Sequence, residues 1–158
     1  SQVETYLREV MPDFGDIQQV QLGPDIKRMT VSFQRDQASM RVAFKALSDG
    51  EKCFLLAAVV LAANKAYGPL FCFWDEPDNY LSLSEVGQFV VYLRRAFGAG
   101  GQFLATSHNP EAIRKFSDEN TFLLHRNSHL EPTQARRLDD LSYSGDLVDA
   151  LIRGDVCP

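Results

Sequence analysis

Leu70-Phe71-Cys72-Phe73-Trp74 is an apolar run without polar alternation, and it leads directly into Asp75-Glu76-Pro77. A strand with one wet face alternates, so a continuous apolar run is expected to lie centrally in a parallel sheet, covered on both faces. Parallel strands require crossover helices, and the neighbouring sequence supplies them at the right lengths. Helices are predicted near Glu51 to Ala66 and Ser84 to Phe97, with a strand over Gln102 to Thr106 between the second helix and a short helix after Pro110. A further strand near Thr121 to His125 and a helical tail over Leu147 to Ile152 continue the alternation, which implies right-handed βαβ units.

The sequence before Ala46 has a different character. Ile17 to Gln21, Lys27 to Gln34 and Met40 to Phe44 alternate in part and are separated by Gly23-Pro24-Asp25 and Asp36-Gln37. That pattern predicts an antiparallel meander, preceded by a short helix at Val3 to Val10. The expected division is therefore a helix and antiparallel strands over 1–45 and an α/β portion over 46–158, within one structural domain.

With 158 residues and 45% hydrophobic content, the chain can bury about 70% of its unfolded surface and needs no covalent staples. Cys53, Cys72 and Cys157 are odd in number and show no CxxC spacing, as expected of a reduced, cytoplasmic protein. The longest apolar run, Cys53 to Ala63, is too short to cross about 30 Å of hydrocarbon and is read as a buried helix. No secretory signal opens the chain, and its Ser start is expected of an excised or processed piece. A net charge of -5 argues against a general nucleic-acid clamp, so nucleic-acid contact would belong to other regions of a larger protein. Arg94-Arg95 and Arg136-Arg137 are read as solvated helix or loop faces.

Three segments can carry chemistry. Asp75 and Glu76 stand where an apolar strand ends, which is where ligands sit in open α/β sheets. A carboxylate pair there suits Mg²⁺ and water chemistry, although a strand end and turn would account for the same residues. Leu47-Ser48-Asp49-Gly50-Glu51 heads the apolar helix. Ser48 and Glu51 have capping-box spacing, and a helix N-terminus with a glycine also admits a phosphate. Ala105-Thr106-Ser107-His108-Asn109-Pro110 ends a strand, presents a histidine and starts a helix on favoured N-cap and N1 residues. One helix and one Gly-rich turn separate the two strands, so His108 is expected at the same sheet edge as Asp75.

In order and spacing, these segments resemble the second half of the nucleotide-binding domain of ABC-type ATPases. The likeness is to the soluble AAA-family branch related to SMC, RecF and the overcoming-lysogenization-defect proteins, and it spans Phe44 to Arg126. It implies a P-loop NTPase-like α/β fold with a parallel sheet core. Leu47 to Glu51 is similar to the signature motif and Leu70 to Glu76 to the Walker B strand. Asp78 to Ser82, with Asn79, Tyr80 and Leu81 between them, is similar to the D-loop, and His108 resembles the switch histidine. Asp49 stands where the best-known signature has glycine, and Ser82 where many D-loops have Asp or His; Ser82 and Glu85 also have capping-box spacing.

The resemblance implies ATP and Mg²⁺ as cofactors, with Asp75 holding the metal through water, Glu76 activating the attacking water and His108 steadying the phosphoryl group. Ser48 and Gly50 would meet a γ-phosphate bound by a second copy, in an ATP-dependent homodimer. The phosphate-cradling G-x-x-x-x-G-K-[ST] loop is missing, since none of Lys27, Lys45, Lys52, Lys65 and Lys115 follows a glycine. The Walker A lobe is therefore expected upstream, and the chain by itself is expected to be inactive.

Other readings predict different behaviour. A non-hydrolysing interaction module derived from an ATPase would show no nucleotide effect even with the upstream lobe restored. A hydrolase built on Ser107, His108 and Asp75 would require two adjacent side chains to face each other, and the chain has no G-x-S-x-G elbow. His125 and His129 have i, i+4 spacing suited to zinc on a helix, but they fall where a turn is expected after a strand.

Overall fold

The computed structural model describes residues 1–116 and 120–156; Cys157 lies outside them. The chain divides into two compact units, Ser1–Thr106 and Ser107–Pro158.

The first unit begins with helix α1 (Gln2–Val10), which closes a capping box between Ser1 and Glu4. Strands β1 (Phe14–Gln21), β2 (Lys27–Arg35) and β3 (Ala38–Ala43) form the antiparallel meander, in the order β1-β2-β3. In β2 the residues Thr30, Val31, Ser32 and Phe33 are all buried, as expected for its middle strand. The β2–β3 turn is Asp36-Gln37, with Asp36 at φ 55°, a left-handed conformation that aspartate tolerates better than most residues.

Helix α2 (Asp49–Tyr67) is the long apolar helix, and α3 (Leu83–Phe97) follows strand β4 (Phe71–Trp74). On α3 the residues Val86, Phe89, Val90 and Leu93 recur at 3, 4 and 7 residue steps, and none exceeds 1% exposure. Phe89 is the hub of this core. Its ring meets Phe54 of α2 edge-on at 6.1 Å and Trp74 of β4 at 5.5 Å. Strand β5 (Gln102–Ala105) then pairs with β4 in parallel, Phe73 beside Leu104 and Trp74 beside Ala105.

A buried amide ties down the approaches to both strands of this β-α-β unit. Asn64 of α2 donates to the carbonyls of Ala96 (3.0 Å) and Gly100 (2.9 Å), and its Oδ1 accepts from the Leu70 N–H (2.8 Å). It thus ties α2 to the approach to β4 and to the end of α3. Gly101, at φ 102°, completes the turn into β5, and a Cβ there would lie 2.7 Å from the Leu70 carbonyl oxygen. Only glycine satisfies both the angle and the space.

Two expectations need correction. Leu70 to Trp74 is not covered on both faces: Cys72 and Trp74 are half-buried, while Phe71 and Phe73 are 65% and 57% exposed and Leu104 beside them is 50% exposed. The missing alternation therefore marks a strand with an apolar face that nothing in the described residues covers. The strand near Thr121 to His125 exists as β6 (Phe122–His125), yet it joins no parallel sheet. It pairs antiparallel with β7 (Gln134–Arg137), so Arg136 and Arg137 lie on a strand rather than on a helix or loop. All four residues of β7 are exposed, which removes the hydrophobic alternation by which a strand is recognised.

The second unit also holds α4 (Pro110–Phe116) and α5 (Leu147–Arg153). Leu138, Leu141 and Leu147 form its small core, with Ile113, Leu123, Leu151 and Val156 packed against them. Arg114 lies 3.7 Å from both Asp146 and Asp149, fastening α4 to the head of α5.

Candidate functional site

β4 and β5 run parallel and end together, so Asp75 and Thr106 are the first residues beyond adjacent strand ends. The Thr106 N–H still donates to the Trp74 carbonyl at 3.3 Å, which brings the Thr106 side chain to the start of the acidic pair. Its hydroxyl donates to Asp75 Oδ1 and accepts from the Glu76 N–H at 3.0 Å. One hydroxyl thus uses both its proton and a lone pair to hold two consecutive residues.

Glu76 needs such support. Its φ is 45°, a left-handed conformation that costs a side-chain-bearing residue about 1 kcal/mol or more and is retained only where the surroundings impose it. The Glu76 carboxylate is held as well: Asn79 Nδ2 donates to Glu76 Oε2, and the Asn79 N–H donates to the Glu76 carbonyl at 3.3 Å. Asp75 is exposed and Glu76 half-buried, so both remain accessible to a ligand.

The segment beyond them is pinned from below. Pro77 and Asp78 are buried, and the Cys53 thiol on α2 donates to the Pro77 carbonyl at 2.9 Å. Burial pushes the Cys53 thiol up to about 12, with the Asp78 charge adding to the effect, so it stays a neutral donor. The Leu81 N–H closes a turn on the Asp78 carbonyl at 3.1 Å, and Ser82 then caps α3 through a complete capping box with Glu85.

Ser48 to Glu51 form the other expected element, and here the capping box is also complete. Ser48 Oγ accepts from the Glu51 N–H at 3.2 Å, and the Glu51 carboxylate accepts from the Ser48 N–H at 2.6 Å. Leu47 is buried and anchors the segment, whereas Ser48 and Asp49 are exposed. Asp49 is paired with Lys52 Nζ at 2.9 Å, which offsets the charge that departs from a glycine at this place. Gly50 lies against the chain following Asp78, since a Cβ on it would come 3.1 Å from the Tyr80 carbonyl oxygen. Ser48, Asp49, Gly50, Tyr80 and Met11 line part of a shallow depression of about 250 Å³. Tyr80 itself is 66% exposed.

The first unit therefore brings together Asp75, Glu76 and Asn79 at the strand end, and Ser48 to Gly50 with Tyr80 at the head of α2. His108 belongs to the second unit, where it is exposed and precedes Asn109. Asn109 Oδ1 accepts from the Glu111 and Ala112 N–H groups at 2.9 and 3.4 Å and caps α4 as its sequence predicts. His125 is the last residue of β6 and His129 is exposed in the chain beyond it. Among the described residues no three His, Cys, Asp or Glu side chains gather into a metal cage. A single exposed aspartate is instead a hard oxygen donor for a cation that keeps most of its water, and Mg²⁺ fits that donor set.

Sequence reasoning named Asn79 only as part of the D-loop and gave Thr106 no role of its own. Thr106 was part of the strand-end segment, but only the parallel register places its hydroxyl beside Asp75. Asn79 lies three residues beyond Glu76, a spacing that the turn converts into a side-chain contact.

Solved structures share this fold. An SMC ATPase structure, described for ATP-driven dimerisation and DNA-stimulated activation, is 15% identical with a TM-score of 0.59 over 87% of this chain and 85% of its own. The Smc head domain with coiled coil and joint from Pyrococcus yayanosii is 12% identical with a TM-score of 0.67, covering 98% of this chain and 28% of that one. The Smc head from Pyrococcus furiosus, bound to the C-terminal domain of ScpA, is 14% identical with a TM-score of 0.61 over 87% and 34%. The chain thus spans about a third of the length of these two longer head structures. At such identities the likeness establishes the fold, which is P-loop NTPase-like as the resemblance implied. No curated protein matches the chain significantly. Residues 5–114, which hold the meander, the capping boxes of α2 and α3, the acidic strand end and His108, match the family described as "AAA domain, putative AbiEii toxin, Type IV TA system", and the chain belongs to that family of AAA-type ATPase domains.

Proposed function

We propose that the chain is the C-terminal portion of an ABC/SMC-like ATPase that hydrolyses ATP between two copies of the complete protein. The observation that carries this reading is the strained, doubly held Glu76 next to the exposed Asp75 at the end of β4. A carboxylate fixed in an unfavourable backbone conformation at a ligand edge is placed for chemistry rather than for stability.

In this reading Asp75 would hold Mg²⁺ through its water shell, and the metal supplies charge neutralisation on the phosphate oxygens. Glu76 would accept a proton from the attacking water as its oxygen bonds the γ-phosphorus and the bond to the β–γ bridging oxygen breaks. ADP leaves with that bridging oxygen. His108 would donate to the transferred phosphoryl group. Ser48 and Gly50, the counterpart of a signature motif, would meet the γ-phosphate held by the other copy, with Asn79 to Ser82 as the D-loop between the sites.

The phosphate loop and the remainder of the sheet would come from a Walker A lobe of the same protein. The exposed face of Phe71, Phe73 and Leu104 supports this, because a two-stranded parallel sheet is otherwise found covered on both sides. The protein is placed in the cytoplasm by this reading, and no helix among the described residues is long and apolar enough to cross a membrane.

Glu76→Gln in the complete protein tests the assignment. ATP binding is expected to persist while turnover falls by about 100-fold or more, as for loss of a general base, and the ATP-bound dimer accumulates. Undiminished turnover removes Glu76 from this role. Absence of any nucleotide effect in the complete protein would favour the interaction module.

A further inference from the structure

The Thr106 hydroxyl is shared between the two residues that the proposed mechanism uses most. It donates to Asp75 Oδ1 and accepts from the Glu76 N–H at 3.0 Å. The two tasks are distinct. The first fixes the Asp75 carboxylate and engages only Oδ1. The second holds the Glu76 main chain at φ 45°, from which its side chain reaches Asn79. Valine has nearly the same shape but neither the proton nor the lone pairs, whereas serine keeps both.

We infer that Thr106 is a positioning residue that sets the metal-facing Asp75 carboxylate and the strained Glu76 main chain through one hydroxyl, an inference that rests on the ATPase reading above. The residue acts from the end of the neighbouring strand, so it orients the Asp75 carboxylate and the Glu76 main chain without being a ligand or a base. Groups that orient a metal-facing carboxylate typically alter metal affinity or activity by about 10–100-fold when removed. The expected signature is therefore a shift in metal dependence together with turnover, without a change in apparent affinity for ATP.

The experiment compares Thr106→Val and Thr106→Ser in the complete protein, with Glu76→Gln as the reference. Thr106→Val is expected to lower kcat by about 10-fold or more and to raise the Mg²⁺ concentration for half-maximal rate by about 10-fold, leaving KM for ATP unchanged. Thr106→Ser is expected to retain both values within about three-fold, since its hydroxyl can make the same bonds. Mn²⁺ titration by electron paramagnetic resonance, on ATP-loaded Glu76→Gln and on Glu76→Gln/Thr106→Val, supplies a readout independent of turnover. The double variant should bind Mn²⁺ more weakly by about the same factor.

Equal Mn²⁺ affinity in the two proteins overturns the inference, as does a serine variant that falls as far as the valine one. If Glu76→Gln itself turns over normally, Glu76 is not the base, and if the complete wild-type protein shows no turnover the ATPase reading fails; in either case the Mn²⁺ comparison still decides whether Thr106 orients Asp75.

Discussion

At the scale of single residues, the acidic strand end depends on groups that make unusual demands on their surroundings. Cys53 is one of them. Its thiol is buried against the chain that carries Pro77 and Asp78, and burial raises its ionisation from the ordinary value near 9.0 to about 12. At pH 8 this leaves about a thousand-fold less thiolate than an ordinary cysteine has. Iodoacetamide is therefore expected to spare Cys53 in the folded protein and to label it in denaturant, as read by peptide mass spectrometry; rapid native labelling would contradict the buried thiol. Tyr92, which donates to Glu9 at 2.9 Å, is raised to about 12 by burial first and by that carboxylate second. Both groups keep their proton in the folded state over a range where the unfolded chain loses it. Stability is thus fully present below about pH 9 and is lost as pH rises from there toward 12. Urea midpoints measured across this window should fall with rising pH, and a flat profile would contradict the two shifts.

Residue types at the site were legible to different degrees for a physical reason. Asp75 and Glu76 stand out because two charges follow five apolar residues. Ser48 with Glu51, and Ser82 with Glu85, stand out because capping geometry has a fixed spacing. Thr106 carries no such mark: a hydroxyl at a strand end acquires its role only when register sets it beside the acid of another strand.

At the scale of elements, Asn64 links helix α2 to the approaches to both β4 and β5. Its three hydrogen bonds are made by a side chain that is 9% exposed. Asn64→Ala would leave the Leu70 N–H and two carbonyls without partners and is expected to cost about 2–4 kcal/mol in urea unfolding. Phe89→Ala, which empties the space between α2, α3 and β4, is expected to cost about 3–5 kcal/mol. A loss below about 1 kcal/mol for either would show that the core of the first unit is not organised as described. Most elements were legible because their apolar residues recur at helical spacing or stand between turn residues. β7 was not, since Gln134, Ala135, Arg136 and Arg137 are all exposed and only pairing with β6 makes them a strand.

At the scale of the molecule, the exposed sheet face of Phe71, Phe73 and Leu104 is the feature that reaches beyond the chain. An uninterrupted apolar sequence predicted burial on both sides, and within the described residues only the face carrying Cys72 and Trp74 is packed. If a Walker A lobe covers the other face, Phe71→Ser/Phe73→Thr should change the stability of the isolated chain by less than about 0.5 kcal/mol, as for ordinary surface positions. In the complete protein the same pair should cost about 3–6 kcal/mol, the loss expected for burial of two large apolar side chains. Equal effects in the two contexts would mean that the face is not covered by that lobe.

If each ATP site joins Asp75 and Glu76 of one copy to Ser48 and Gly50 of another, mixing two inactive proteins reveals it directly. Complete Glu76→Gln and complete Ser48→Arg are each expected to hydrolyse ATP negligibly. In a mixed dimer, one site would carry both defects and the other neither. Equal mixing should therefore restore about a quarter of wild-type turnover, since about half the dimers are mixed and one of their two sites is intact. Recovery to that level is expected of a shared site, and mixtures that stay as inactive as either protein alone, under conditions where the two proteins exchange subunits, would rule that site out.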